Sequence, residues 1–188
     1  MNEILRKGTY LIFLILLISC GTNKVVNNTK VNTYPNSKYK KSRNAYSGTL
    51  NKVEYDELIK QLEIELKTTF PSDKSILINY NQKAPNCINA RFSEKDNKQV
   101  TNNRIRSSSR MSSNYNAIDF FVYTKDSYNK EVYEQMTEFI IDSGFFYENV
   151  FKEHQNCAGF LIIKPNGDFY KQYGEDYYSE VKAFFEKK

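Results

Sequence analysis

Three short apolar runs constrain this chain most: Ser75–Tyr80 (SILINY), Ile118–Tyr123 (IDFFVY) and Gly159–Lys164 (GFLIIK). Each is too short for an ordinary helix and is bounded by turn-forming residues, so each reads as a buried strand. Helical spacing lies between and around them. Val53 to Thr69 carries Tyr55, Leu58, Ile59, Leu62 and Leu66 on one face, and Pro71 with Ser72 and Asp73 ends it. A second helix is expected from about Tyr128 to Ser143, capped by Asp126 or Ser127. Its inward face is Val132, Tyr133, Met136, Phe139 and Ile140, with Gly144 at the C′ position. Phe145 to Phe151 reads as a short strand or an irregular link. Pro165-Asn166-Gly167-Asp168 is a turn, and Phe169 to Tyr173 is the returning strand of a hairpin. Glu175 to Lys187 closes the chain as a helix with Tyr177, Val181, Phe184 and Phe185 inward. The order α, β, loop, β, α, (β), β, β, α implies an α/β domain with parallel neighbours and an antiparallel edge. No internal repeat is present.

At 188 residues the chain is one domain, or one domain with an appendage. Mean hydropathy of −0.66 excludes a polytopic membrane protein. The 15 Tyr and 13 Phe supply enough large rings for a core, which excludes global disorder. The net charge of +5 first suggests a nucleic-acid partner. Its distribution removes that reading. Residues 1–50 hold eight Lys/Arg and one Glu, while residues 51–188 hold nineteen Lys/Arg and twenty-one Asp/Glu. The basic excess therefore lies at the N-terminus, and no nucleic-acid partner is expected.

That N-terminus reads MNEILRKGTYLIFLILLISC. Arg6 and Lys7 precede an apolar run from Tyr10 to Ile18, shorter than the roughly 20 residues needed to span a bilayer. A basic region before a short apolar run is the pattern of a secretory signal. The ending Leu17-Ile18-Ser19-Cys20 resembles the lipobox of bacterial lipoproteins. The resemblance implies that residues 1–19 are a removable signal peptide and that Cys20 carries a thioether-linked diacylglycerol, usually with an N-acyl chain. One acyl chain binds membranes marginally and two or more bind stably, so the lipid bilayer is the expected partner. The alternative is a signal cut elsewhere, with Cys20 incidental. No acidic residue occurs from Gly21 to Leu50, which favours the periplasmic face of an outer membrane over surface display. Residues 20–50, polar and without amphipathic period, read as the acylated Cys and a flexible basic tether. Its Lys and Arg side chains are either a solvated spacer, the preferred reading, or contacts for anionic headgroups. The domain is then 51–188.

The order of elements, and three segments in it, resemble the thioredoxin-like superfamily. Lys74-Ser75-Ile76-Leu77-Ile78-Asn79-Tyr80 is similar to the strand that ends at the redox site. Asp119 to Asp126 and the helix after it are similar to the next βα unit, and Cys157 to Gly167 to the strand entering the closing hairpin. The resemblance implies a mixed sheet flanked by helices, ending in a β-hairpin plus helix. The chain departs from the family at the chemistry. The family's C-x-x-C is absent from Asn81-Gln82-Lys83-Ala84-Pro85-Asn86-Cys87, which has one Cys. Ala158 stands where the family has a cis-proline, and the polar stretch Ile88 to Asn116 replaces the expected active-site helix. The element pattern also admits a cystatin-like or other α+β architecture.

With Cys20 lipidated, Cys87 and Cys157 remain, in an oxidising compartment. In a thioredoxin-like fold the two loops that hold them meet at one end of the sheet, so the resemblance implies a disulfide between them. It is either a static staple, the preferred reading, or a redox-active pair. His154, three residues before Cys157, is a candidate modulator, because a nearby imidazolium lowers a thiol pKa. Arg104, Arg106 and Arg110 lie among serines; a solvated loop is preferred over a receptor for an acidic partner or phosphate. Glu175 and Asp176 read as solvated N-terminal helix charges. Gly-rich phosphate loops, zinc-protease motifs, zinc cysteine pairs and serine elbows are absent, so neither metal nor cofactor is expected. The expected function is binding or scaffolding, with an envelope protein as a candidate partner. The alternative is a thiol–disulfide oxidoreductase using Cys87 and Cys157.

Overall fold

The computed structural model describes residues 30–175 and 177–187. The segment read as a signal peptide, 1–19, with Leu17, Ile18, Ser19 and the expected lipidation site Cys20, lies outside the described residues, as does the expected tether up to residue 29. Among the described residues no helix is long and apolar enough to cross a membrane.

A six-stranded mixed sheet organises the chain, in the order β1-β6-β5-β2-β3-β4. The strands are β1 (Ala45–Thr49), β2 (Ser75–Asn81), β3 (Ala117–Tyr123), β4 (Phe139–Ile141), β5 (Ala158–Ile163) and β6 (Asp168–Tyr173). Strands β2, β3 and β4 run parallel, whereas β5, β6 and β1 pair antiparallel. The helices are α1 (Ser37–Lys41), α2 (Lys52–Leu66), α3 (Glu94–Asn114), the single turn α4 (Lys130–Tyr133) and α5 (Tyr178–Glu186). The run β2-α3-β3-α4-β5-β6-α5 has the thioredoxin-like arrangement, with β1 and β4 added at the edges. The expected mixed sheet with its closing hairpin and helix is therefore present.

All seven residues of β2 are buried, because the sheet is covered on both faces. The strand's two-residue period splits its side chains. Ile76, Ile78 and Tyr80 join Leu62 and Leu66 of α2 in the larger core, together with Phe151, Leu161 and Tyr173. Leu77 faces the other layer with Phe160, Ile162, Tyr177 and Val181. Helix α2 starts sharply because Asn51 and Glu54 form a capping box, each accepting from the other's end of the turn.

The structure corrects four sequence expectations. Residues 30–50 are not a tether: α1 forms there, and β1 pairs with β6 in register Ala45↔Gln172 to Thr49↔Asp168. The five residues of β1 are all exposed, so no buried stripe marked them in the sequence. The polar stretch 88–116 is a short 3₁₀ turn, Ile88–Arg91, followed by the 21-residue α3. The inward residues of α3 are Asn97, Thr101, Ser108 and Ser112, so its periodicity is polar. The helix expected over about Tyr128–Ser143 shrinks to α4, and Phe139–Ile141 pairs as a strand with Phe121–Tyr123. Phe139 stacks on Tyr133 at 4.4 Å and packs beside Phe121 and Tyr123, which β4 allows and a continuous helix would not. Finally, Phe146–Val150 forms a π-type helical turn.

Candidate functional site

The C-terminal end of β2 and the entry to β5 bring Cys87 and Cys157 together in a disulfide, with Cα atoms 5.1 Å apart. The expected pairing is thus present. The loops align through backbone bonds: Cys157 N–H donates to Asn86 O at 3.0 Å, and Gln82 N–H to Cys157 O at 2.8 Å. Among the described residues no peptide bond is cis, the one before Ala158 included.

Both cysteines are closed off, with residual exposures of 2% for Cys87 and 6% for Cys157. Part of the cover comes from the segment read as tether. Val31 packs on the two cysteines and Ala84. Asn32 N–H donates to Pro85 O at 2.8 Å, and Cys87 N–H returns to Asn32 O at 2.9 Å. Asn32, Asn86 and Asn156 form successive parallel bridges. Their amides interlock: Asn32 Nδ2 donates to Asn86 Oδ1 at 2.9 Å, and Asn86 Nδ2 to Gln155 O at 2.8 Å. At the far end of the segment, Ser42 Oγ donates to Asn156 Oδ1 at 3.1 Å, and Asn156 Nδ2 donates back to Ser42 O. Tyr39, 3% exposed, accepts the Glu175 N–H on its hydroxyl at 2.7 Å.

Glu175 is the residue that sequence reasoning missed. It is partly buried rather than solvated, and one carboxyl oxygen lies 2.7 Å from Cys157 Sγ. Gly174, at φ +123°, makes the turn that delivers it; a Cβ there would stand 2.7 Å from Arg43 Nε. The carboxyl accepts Ile88 N–H at 2.9 Å and Asn89 N–H at 3.3 Å. Burial pushes its pKa up to about 7, and those two N–H groups and the Arg104 guanidinium only partly offset this. A sulfur already in a disulfide has no hydrogen to donate. The short O···S contact is therefore favourable when the carboxyl is protonated. Cys87 Sγ, Cys157 Sγ and a Glu175 oxygen lie within 4.8 Å of one another, the one such group among the described residues. Metal ligation by cysteine needs thiolate, which the bonded pair does not offer.

Arg104 also departs from the expected loop. Its guanidinium turns inward from α3, donating to Asn81 Oδ1 at 3.0 Å and to the Tyr177 hydroxyl at 2.9 Å. Tyr133 donates to the same Asn81 oxygen at 3.2 Å, and Tyr177 to Asn79 Oδ1 at 2.7 Å. The guanidinium thus ties α3 to α5 and to the end of β2. Arg106 and Arg110 remain exposed. His154 is not at the sulfurs. Its ring stacks on Tyr147 at 3.8 Å, its Nδ1 meets Gln82 Oε1 at 2.9 Å, and burial lowers its pKa.

No family model matches the chain, and no curated protein does. Among solved structures, the chain is similar to the thioredoxin domain of a thiol–disulfide oxidoreductase from Bacteroides vulgatus. The two are 12% identical over 76% of this chain and 94% of that one, with a TM-score of 0.39.

Proposed function

We propose that this chain is a cell-envelope lipoprotein, anchored by acylated Cys20 at the periplasmic face of the outer membrane, whose thioredoxin-like domain binds or scaffolds an envelope protein. The observation that carries the non-enzymatic reading is the closure of the disulfide beneath residues 31–42. Thiol–disulfide exchange needs a thiolate to reach a sulfur, and these sulfurs are 2% and 6% exposed at the residue level. The absence of C-x-x-C points the same way. Thiol trapping across a redox titration tests it. A potential below about −300 mV is expected for a staple, and a clearly higher one would sink the reading. Mass spectrometry of membrane fractions tests the anchor: an unmodified Cys20 would remove it.

One observation favours a second reading, exchange at Cys87 and Cys157. The Glu175 carboxyl stands 2.7 Å from Cys157 Sγ with its pKa at about 7. As an incoming thiolate bonds to Cys87 and the S–S bond breaks, the carboxyl proton would pass to the leaving Cys157 sulfur. An exchange rate independent of Glu175 would remove this role.

A further inference from the structure

Folding of residues 31–42 onto the disulfide end turns the basic N-terminal segment from a string of charges into a fixed face. Asn32 and Ser42 are both fastened to Asn86, Ser42 Oγ accepting from Asn86 Nδ2 at 3.2 Å. The segment therefore arches over the loop that carries Lys83 and leads to Arg91. Lys30, Lys38, Lys40, Lys41, Lys83 and Arg91 are all exposed there. Residues 30–45 and 82–92 contain no Asp or Glu. Glu175 is tucked beneath this face, and Arg43 is tied to Glu180 at 3.1 Å. Tyr34 is 63% exposed, with the Arg91 guanidinium 5.4 Å from its ring centre. An exposed ring among cations is the composition of a surface that meets headgroups.

Chain length fixes which way this face looks, given the anchor proposed above, on which this step rests. Ten residues separate Cys20 from Val31. Fully extended, that stretch covers at most about 40 Å, and a domain of this size is about 40 Å across. The opposite end could meet the bilayer only with the connector stretched along the whole flank. That opposite end carries Lys74, before β2, and Lys164, after β5, since β2 and β5 run antiparallel.

We propose that the cationic face around residues 30–42, Lys83 and Arg91 docks on an anionic phospholipid surface, laying the disulfide end of the domain against the membrane.

The test uses the full, oxidised chain with vesicles of phosphatidylcholine alone, or of phosphatidylcholine with phosphatidylglycerol. A membrane-impermeant amine reagent then labels the lysines, and peptide mass spectrometry reads each one. Labelling of Lys38, Lys40, Lys41 and Lys83 is expected to fall at least about threefold in the anionic vesicles. It should recover at about 0.5 M salt, where the screening length is short. Lys74 and Lys164 should not change. The variant Lys38→Glu/Lys40→Glu/Lys41→Glu, altered only at exposed positions, should lose the protection of Lys83. Equal labelling in both vesicles, or equal protection of Lys74 and Lys164, overturns the proposal. The N-terminal peptide in the same digest reports acylation. An acylated chain without lipid-dependent protection sinks this face alone. Protection without acylation sinks the anchor alone. Absence of both sinks both.

Discussion

Glu175 makes the stability of this domain fall as pH rises through the range in which most carboxylates are already ionised. Its pKa is pushed from 4.5 to about 7 by burial. Below pH 4.5 the carboxyl is protonated in folded and unfolded chains alike, and its favourable placement is fully present. Between pH 4.5 and 7 the unfolded chain releases the proton while the folded chain keeps it, so stability declines with pH. Above pH 7 the folded state holds a charge in an enclosed site. A shift of this size corresponds to about 3 kcal/mol. With a urea m-value of about 2 kcal/mol/M, the midpoint should drop by about 1.5 M across the window. Glu175→Gln removes the ionisation but forfeits one acceptor for Ile88 or Asn89 N–H, at about 1 kcal/mol. The variant should therefore be slightly weaker at pH 5 and stronger by about 2 kcal/mol at pH 8. His154 acts in the opposite direction, because burial lowers its pKa and stability rises as it loses its proton. Both proteins carry it, so the difference between their curves cancels it. The assay is urea unfolding of the oxidised protein at half-unit steps from pH 4.5 to 8. Parallel curves for the two proteins would falsify the assignment.

Three further outcomes follow from the same site. Cys87→Ala removes a crosslink between residues 70 apart and should cost about 4 kcal/mol, seen as a lower thermal midpoint than the oxidised parent; an unchanged midpoint would mean the cover holds the loops without the bond. Asn86→Ala breaks the amide contacts to Asn32, Ser42 and Gln155. A loss of about 2–3 kcal/mol is expected, with faster amide exchange over residues 31–42 than in α2; uniform exchange changes would count against a local cover. Gly174→Ala places a methyl against Arg43 at a φ of +123° and should cost about 1–3 kcal/mol in chemical unfolding; no loss would show that the turn relaxes freely.

Legibility followed the chemistry of each buried surface. Ile76, Ile78, Phe160 and Ile162 announce strands because they are apolar at every second position or in short runs. Leu58, Leu62 and Leu66 do the same for α2 at helical spacing. Helix α3 hid because its helically spaced inward residues, Asn97, Thr101, Arg104, Ser108 and Ser112, are polar, and Ser108 and Arg104 meet the polar positions Asn79 and Asn81. A hydrophobicity pattern cannot report a seam that both partners build from amides and hydroxyls. Residues 139–141 were drawn into the wrong element because Phe139 and Ile140 fit either period, and pairing with β3 decided between them. At the site, the family resemblance pointed to the disulfide. Glu175 was not legible, since its burial depends on the turn at Gly174 and on residues 31–42 arriving from over 130 positions away. His154 was read as adjacent because it is near Cys157 in sequence, but its ring is held by Tyr147 and Gln82.

The cover over the disulfide also orders events in time. A chain made from its N-terminus presents residues 31–49 early; Asn32 finds its partner at Asn86, but Ser42 meets Asn156 across 114 positions, and Ala45 pairs with Gln172. Loop-closure cost grows only slowly with length, so what delays β1 is that its partner strand β6 is made after both cysteines. Cys87 and Cys157 can therefore meet before β1 settles beside β6. An early-made strand thus closes the sheet only once the last strand has been made. An oxidant has access to the two thiols during that interval, and afterwards the bond is sealed by the segment that waited for it.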